Sequence, residues 1–269
     1  MDLPPQPARW RHMMNVVDHG RGKPLLMVHG LGSSGHAWEP ILGPLAQARR
    51  VMVIDLPGHG ATPAEADSGT FAGLVRSVAA WMEATRMTGV DMVGSSLGAR
   101  VVLELARQGL AGNVVALDPG GFWEGWERHF AVTTLTGSRA LVKALKPALP
   151  TLASNAASRS ALLAQLSAGP WALDGAFVAE ELRTLAETPT VPSLIQDLGY
   201  GPGQEGVPTT GGRLAIGWGR HDRLCLPVQA KRAAKRFPSA RLHWFEHSGH
   251  FPLWDEPAET VRLIADTCG

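Results

Sequence analysis

The sequence predicts an α/β protein built on a mostly parallel sheet, and three observations carry that prediction. Short apolar runs alternate with stretches of helical spacing through the first half of the chain. The cadence breaks at about Phe122 and resumes after Gly211-Gly212. Several runs end directly in glycine-rich turns that carry Ser, His or Asp. Parallel strands need a crossover of a dozen or more residues, so this order implies strand–helix–strand units. The runs are continuously apolar rather than alternating, as expected of strands covered on both faces.

Taken in order, the chain starts with a Pro-rich stretch, Met1 to Pro7. Trp10 to Val17 alternates weakly and reads as an antiparallel edge strand, turned by Asp18-His19-Gly20-Arg21-Gly22. Pro24 to Val28 is a buried strand that runs into His29-Gly30-Leu31-Gly32. Trp38 to Ala48 has weak helical spacing, and Arg50 to Ile54 is a second buried strand ending in Asp55-Leu56-Pro57-Gly58-His59-Gly60. Phe71, Leu74, Val75, Val78, Trp81 and Met82 repeat at i, i+3, i+4, i+7, which predicts an amphipathic helix starting at Thr70. Val90 to Val93 and Asn113 to Leu117 are further strands, the latter closing at Asp118-Pro119-Gly120-Gly121. From Phe122 to Gly206 the Ala/Leu-rich stretches are helical in spacing and cut by prolines. Arg213 to Trp218 and Arg241 to Phe245 restore the strands. An all-helical insertion between two stretches of sheet reads as a cap over the strand ends. The division is therefore a core of residues 1–121 and 207–269 with a helical cap of residues 122–206.

Bulk properties exclude several function classes. At 269 residues the chain can bury about three quarters of its unfolded surface in one core. Charged residues are 18%, below the usual ~25%, and the net charge is +1, so nothing points to nucleic acid or acidic membranes. No run approaches ~18 continuous apolar residues, so no membrane span is expected. The start lacks a basic-then-apolar signal pattern. Cys225 and Cys268 sit in no metal-ligand spacing and make no disulfide framework. A soluble cytoplasmic protein without metal or cofactor is the expectation, with oligomeric state open.

The chemistry centres on Gly94-Ser95-Ser96-Leu97-Gly98, between the Val90 strand and a run of helical spacing (Leu97, Val101, Val102, Leu105). A serine on so sharp a strand-to-helix turn sits in strained backbone, and its neighbours two before and two after must be nearly side-chain-free. It presents an exposed hydroxyl at the carboxyl edge of a sheet and leaves the Leu97 N–H free to donate.

Five segments in order (His29-Gly30-Leu31, Asp55 to Gly60, Gly94 to Gly98, Gly217-Trp218-Gly219-Arg220-His221-Asp222 and Ser248-Gly249-His250-Phe251-Pro252) resemble the α/β-hydrolase family over nearly the whole chain. The resemblance implies an eight-stranded, mostly parallel sheet with helices on both faces and a helical cap after the sixth strand. It implies Ser96 as nucleophile, His250 as base and Asp222 as the acid that orients it, with Asp118 as the rival acid. It also implies oxyanion donors at the N–H groups of Leu31 and Leu97. Of the ten histidines, His247 is read as exposed loop, and His29 and His59 as structural. Asp55 is read as a turn residue.

Departures from the family's branches narrow the chemistry. A serine at position 96 rather than aspartate argues against dehalogenases and epoxide hydrolases. Ser95 and Phe251 stand where carbon–carbon hydrolases usually carry Asn and Trp. The expected activity is hydrolysis of an ester, lactone or thioester of a mostly apolar small molecule. Carbon–carbon cleavage, acyl transfer, a cofactor-free haloperoxidase or perhydrolase, and a ligand receptor on the same fold are the alternatives. Candidate pocket residues are Trp38, Trp123, Trp126, Trp171, Phe177 and Phe251.

Overall fold

The strand periodicity of two sorts the apolar runs into two separate cores. In the computed structural model, which describes residues 14–207 and 211–269, Leu26, Val28, Met52, Ile54, Met92 and Ile216 face one core. Leu25, Met27, Val51, Val53, Val93 and Ala215 face the other. A run that is apolar at every position is what a strand needs when helices cover both of its faces.

The strands are β1 (Val16–His19), β2 (Pro24–Val28), β3 (Arg50–Ile54), β4 (Asp91–Ser95), β5 (Val114–Leu117), β6 (Leu214–Gly219) and β7 (Arg241–Phe245). They form one seven-stranded sheet in the order β1-β3-β2-β4-β5-β6-β7. β1 is antiparallel to β3 and all the other pairings are parallel, so the sheet is mixed. The eight strands implied by the family resemblance are thus corrected to seven among the described residues. The chain's own apolar runs number seven, and among the described residues ahead of β2 the one strand is the short β1. Trp10 to Met13, the start of the expected edge strand, lies outside the described residues, as do the Pro-rich start and His12.

The core helices are α1 (Glu39–Ala48), α2 (Phe71–Ala84) and α3 (Leu97–Arg107). The helices between β5 and β6 are α4 (Trp126–Leu145), α5 (Leu149–Ser154), α6 (Ala156–Leu162), α7 (Gly175–Glu187) and α8 (Val191–Tyr200). The last three are α9 (Val228–Arg236), α10 (Pro252–Asp255) and α11 (Pro257–Cys268). α2 begins where its sequence predicts, with the Thr70 hydroxyl accepting the Gly73 N–H at 3.0 Å and its apolar stripe buried in the first core with α3. α1 and α11 cover the opposite face. Among the described residues the helical segment follows the fifth strand, not the sixth.

A close approach of backbone to backbone lies where β4 passes into α3. A Cβ on Gly94 would stand 2.3 Å from the Gly98 carbonyl oxygen, and one on Gly98 would stand 2.1 Å from the Val28 carbonyl oxygen. Helix α3 is therefore pressed against the end of β2 with backbone touching backbone. Gly98→Ala is expected to destabilise the protein by about 1–3 kcal/mol or more, as overpacking against an immovable carbonyl does. Urea unfolding checks this, and a midpoint equal to that of the parent would contradict it.

Candidate active site

β4 ends at Ser95 and α3 begins at Leu97, so Ser96 alone turns the chain, at φ 54° and ψ −112°. Strain of this kind costs on the order of 1–3 kcal/mol and persists only where the surroundings enforce it. Here the glycine contacts enforce it. The half-buried hydroxyl projects beyond the carboxyl ends of the parallel strands, the edge at which open α/β sheets bind ligands.

His250 meets it from the loop after β7. The Ser96 hydroxyl lies 2.8 Å from His250 Nε2, and His250 Nδ1 lies 2.8 Å from Asp222 Oδ2. A carboxylate only accepts, so the proton sits on Nδ1 and Nε2 is the acceptor for the serine. Asp222 Oδ1 in turn accepts the N–H groups of Leu224 at 2.8 Å and Cys225 at 2.9 Å. The imidazole and the carboxylate are both buried. Three side chains distant in sequence thus form one hydrogen-bonded chain. The His250 loop is itself pinned from two sides. Its N–H donates to the Leu166 carbonyl at 2.8 Å, and Asp255 Oδ2 accepts from Gly249 N at 2.7 Å and Ala168 N at 2.8 Å.

The rival acid is elsewhere engaged. Asp118, fully buried after β5 with φ 45°, accepts the Gly219 N–H at 2.8 Å and makes no contact with His250. Burial first, and the neighbouring Asp222 charge second, push its carboxyl well above the usual carboxylate range. Asp118 therefore stays neutral more readily than an ordinary carboxyl.

The remaining motif residues brace the loops. His29 Nε2 accepts the Leu56 N–H at 3.0 Å and Nδ1 reaches the Gly30 carbonyl at 2.8 Å. Burial lowers its pKa, and the same desolvation, aided by His29, brings His59 down to about 3. Both rings are neutral and structural. Asp55 ties the same loops together by accepting from Gly35 N at 2.7 Å and Ala61 N at 2.9 Å. His247 is exposed, as its loop position suggests.

Beside Ser96 and His250 lies a cavity of about 80 Å³ with almost wholly apolar walls. Leu31, Leu97, Trp123 and Phe251 line it, as the sequence suggests. Trp38, Trp126, Trp171 and Phe177 do not. Trp38 is fully buried in the second core, together with residues of α1, β2 and β3. Trp126 packs edge-on against Phe130 and, like Trp171, is mostly exposed. Phe177 lies against Trp254 and His36. Sequence reasoning missed Arg100, Arg128, Leu166 and Cys225 at the cavity and Asp255 behind it. Only Arg100 carried a signal, a charged residue four after Ser96 among the apolar residues of α3.

Asp222, Cys225 and His250 place possible ligand atoms within 4.8 Å of one another. Both Asp222 oxygens and His250 Nδ1 are already used in hydrogen bonds, and burial pushes the Cys225 thiol up, away from thiolate. That donor set suits proton transfer rather than a metal.

The family model described as the alpha/beta hydrolase family matches residues 25–263. The chain belongs to the α/β-hydrolase family. This α/β-hydrolase is 26% identical to a 2-hydroxy-6-oxo-6-phenylhexa-2,4-dienoate hydrolase of Burkholderia cepacia, over 94% of this chain and 90% of that one. A meta-cleavage product hydrolase from Pseudomonas fluorescens IP01 superposes with a TM-score of 0.71 at 17% identity, covering 94% and 93% of the two chains. A thermophilic esterase from Thermogutta terrifontis gives 0.68 at 17% identity, covering 94% and 92%. No helix among the described residues is long and apolar enough to cross a membrane.

One contact between the loop after β2 and α7 is pH-dependent. His36 Nδ1 lies 2.9 Å from buried Glu181, which also accepts the Ser33 hydroxyl at 2.7 Å. The Glu181 hydrogen bond raises the His36 pKa. A raised histidine contributes stability that is fully present below its unfolded pKa of about 6.5 and lost as pH rises through the folded value. The melting temperature of the parent should therefore exceed that of Glu181→Gln by more at pH about 6 than at pH about 8.5. A pH-independent difference would overturn this.

Proposed function

We propose that the protein is a serine hydrolase that cleaves a carboxylic ester, lactone or thioester of a mostly apolar small molecule. The observation that carries the reading is the unbroken Asp222–His250–Ser96 hydrogen-bonded chain opening on an apolar cavity. His250 Nε2 takes the hydroxyl proton as Ser96 Oγ bonds to the carbonyl carbon. Asp222 stabilises the imidazolium that results. The N–H groups of Leu31 and Leu97 donate to the oxyanion. Leu97 is the first residue of α3, so its N–H has no partner within the helix. The tetrahedral intermediate then expels the alcohol or thiol, which takes the proton from His250. Water, deprotonated by the same ring, releases the acid and restores the serine.

In this reading residues 122–206 are a cap that closes the cavity over a core of residues 1–121 and 207–269. Support comes from its side chains Trp123, Leu135, Leu166 and Leu198, which share the cavity with Ser96. No cofactor takes part. Two free, buried thiols suit a reducing compartment such as the cytoplasm. The carbon–carbon hydrolase reading draws on the relatives named above. Ser95 and Phe251 argue against it.

Ser96→Ala should lose several orders of magnitude in turnover of 4-nitrophenyl esters while remaining folded, and a parent-like rate would refute the acyl-enzyme. Fluorophosphonate labelling of the parent but not of the variant is the companion result. Asp222→Asn should cost about 10⁴ in kcat, by analogy with loss of the orienting carboxylate in other triads. Asp118→Asn, which preserves an acceptor for Gly219 N, should cost less than about tenfold. The reverse order would reassign the acid.

A further inference from the structure

We propose that Arg100 and Arg128 form a subsite for a carboxylate carried by the substrate, which makes the preferred substrate a half-ester of a short dicarboxylic acid. The proposal rests on the serine hydrolase reading and adds the substrate class.

Both arginines line the cavity that holds Ser96 and His250. Arg100 stands one helical turn beyond the nucleophile on α3, and its N–H bonds back to the Ser96 carbonyl at 3.1 Å. Four residues of helix are about 6 Å of rise, which sets the Arg100 backbone one turn from that of Ser96. Arg128 comes from the first turn of α4. Between the serine and the arginines the walls are aliphatic, with Val132, Leu135, Ile195 and Leu198 among them.

The state of the two cations is what calls for an anion. Arg100 is 1% exposed. Its Nη2 donates to the Pro202 carbonyl at 2.6 Å and its Nε to Gln204 Oε1 at 3.3 Å, and its plane lies 3.9 Å from the centre of the Phe71 ring. Every one of these partners is uncharged. Its Nη1 is buried with no acceptor. Arg128 makes one long contact, from Nη1 to the Gly201 carbonyl at 3.5 Å. Among the described residues neither arginine has a carboxylate within ion-pair distance. The acids of the neighbourhood are otherwise engaged, Asp197 with the Phe71 N–H at 2.7 Å and Glu104 with Arg107 and Gln108. Burial lowers the Arg100 pKa to about 10; the more distant charges of Asp197 and Glu104 oppose that shift and Arg128's charge adds to it to a lesser extent, so the group stays charged at neutral pH.

Two cations that line one otherwise apolar cavity repel each other, and a buried N–H without an acceptor, as at Arg100 Nη1, is uncommon in native proteins. The planar guanidinium fork matches a carboxylate in shape and charge. A carboxylate at the end of a short aliphatic chain would fill the apolar walls, meet Arg100 Nη1 and neutralise the pair. The other end of the same molecule would present its ester to Ser96.

The test compares 4-nitrophenyl hydrogen glutarate with 4-nitrophenyl pentanoate, esters of equal chain length that differ in the terminal carboxylate. The parent enzyme should favour the half-ester by tenfold or more in kcat/KM, chiefly through KM. Arg128→Met should remove most of that preference, chiefly by raising KM for the half-ester. Arg100→Lys, which keeps the charge, should retain more of the preference than Arg100→Met. Equal or better turnover of the neutral ester by the parent overturns the subsite, as does a preference that survives Arg128→Met and Arg100→Met together. If neither ester is hydrolysed and Ser96 resists fluorophosphonate, the serine hydrolase reading fails. The subsite is then judged by binding alone. Glutarate monoethyl ester, but not ethyl pentanoate, should raise the melting temperature of the parent and not of Arg128→Met, and the absence of that difference sinks it.

Discussion

The contact of α3 with the end of β2 is the constraint on which the site depends. Backbone meets backbone there, with glycine at 94 and 98 and no room for a Cβ at either. The approach leaves Ser96 no regular backbone to adopt, and its positive φ follows from the crossing. Because the strain is stored where backbone packs directly on backbone, the hydroxyl is held in place without help from the loops it faces. His250 and Asp222 are then placed relative to a fixed point.

The second organising feature is the pairing of two buried carboxyls at neighbouring strand ends. Asp118 after β5 and Asp222 after β6 lie close enough for the charge of one to raise the pKa of the other. Each is anchored by main-chain N–H donors, one for Asp118 and two for Asp222. The additional donor and the imidazole both fall to Asp222. The sheet thus holds two strand-end carboxyls, and the His250 ring stands against that of Asp222.

Much of this was legible in the sequence, for identifiable reasons. Buried parallel strands need unbroken apolar runs, and β2, β3, β5 and β6 lie within one or two residues of where those runs place them. The elbow at Ser96 needs glycine on both sides, so its residue pattern is nearly its geometry. The strand number went wrong where the resemblance, rather than an apolar run, was the source. Aromatic residues were the weak point for a related reason. Trp38, Trp126 and Trp171 have equal apolar bulk, yet one fills the core and two lie outside, since only three-dimensional packing distinguishes these fates. Arg128 and Asp255 were invisible because charged residues on helices usually face solvent, and nothing local marks the two that do not.

The loop that carries His250 is fastened by the Leu166 carbonyl and, through Asp255, by the Ala168 N–H, both within the segment between β5 and β6. That segment is the part of such a fold an engineer would first exchange to alter what is recognised. In this chain a transplanted replacement must reproduce the backbone path of three consecutive residues, 166–168, or the imidazole loses its seat. New recognition surfaces here are best drawn by side-chain changes on the existing helices than by wholesale grafting.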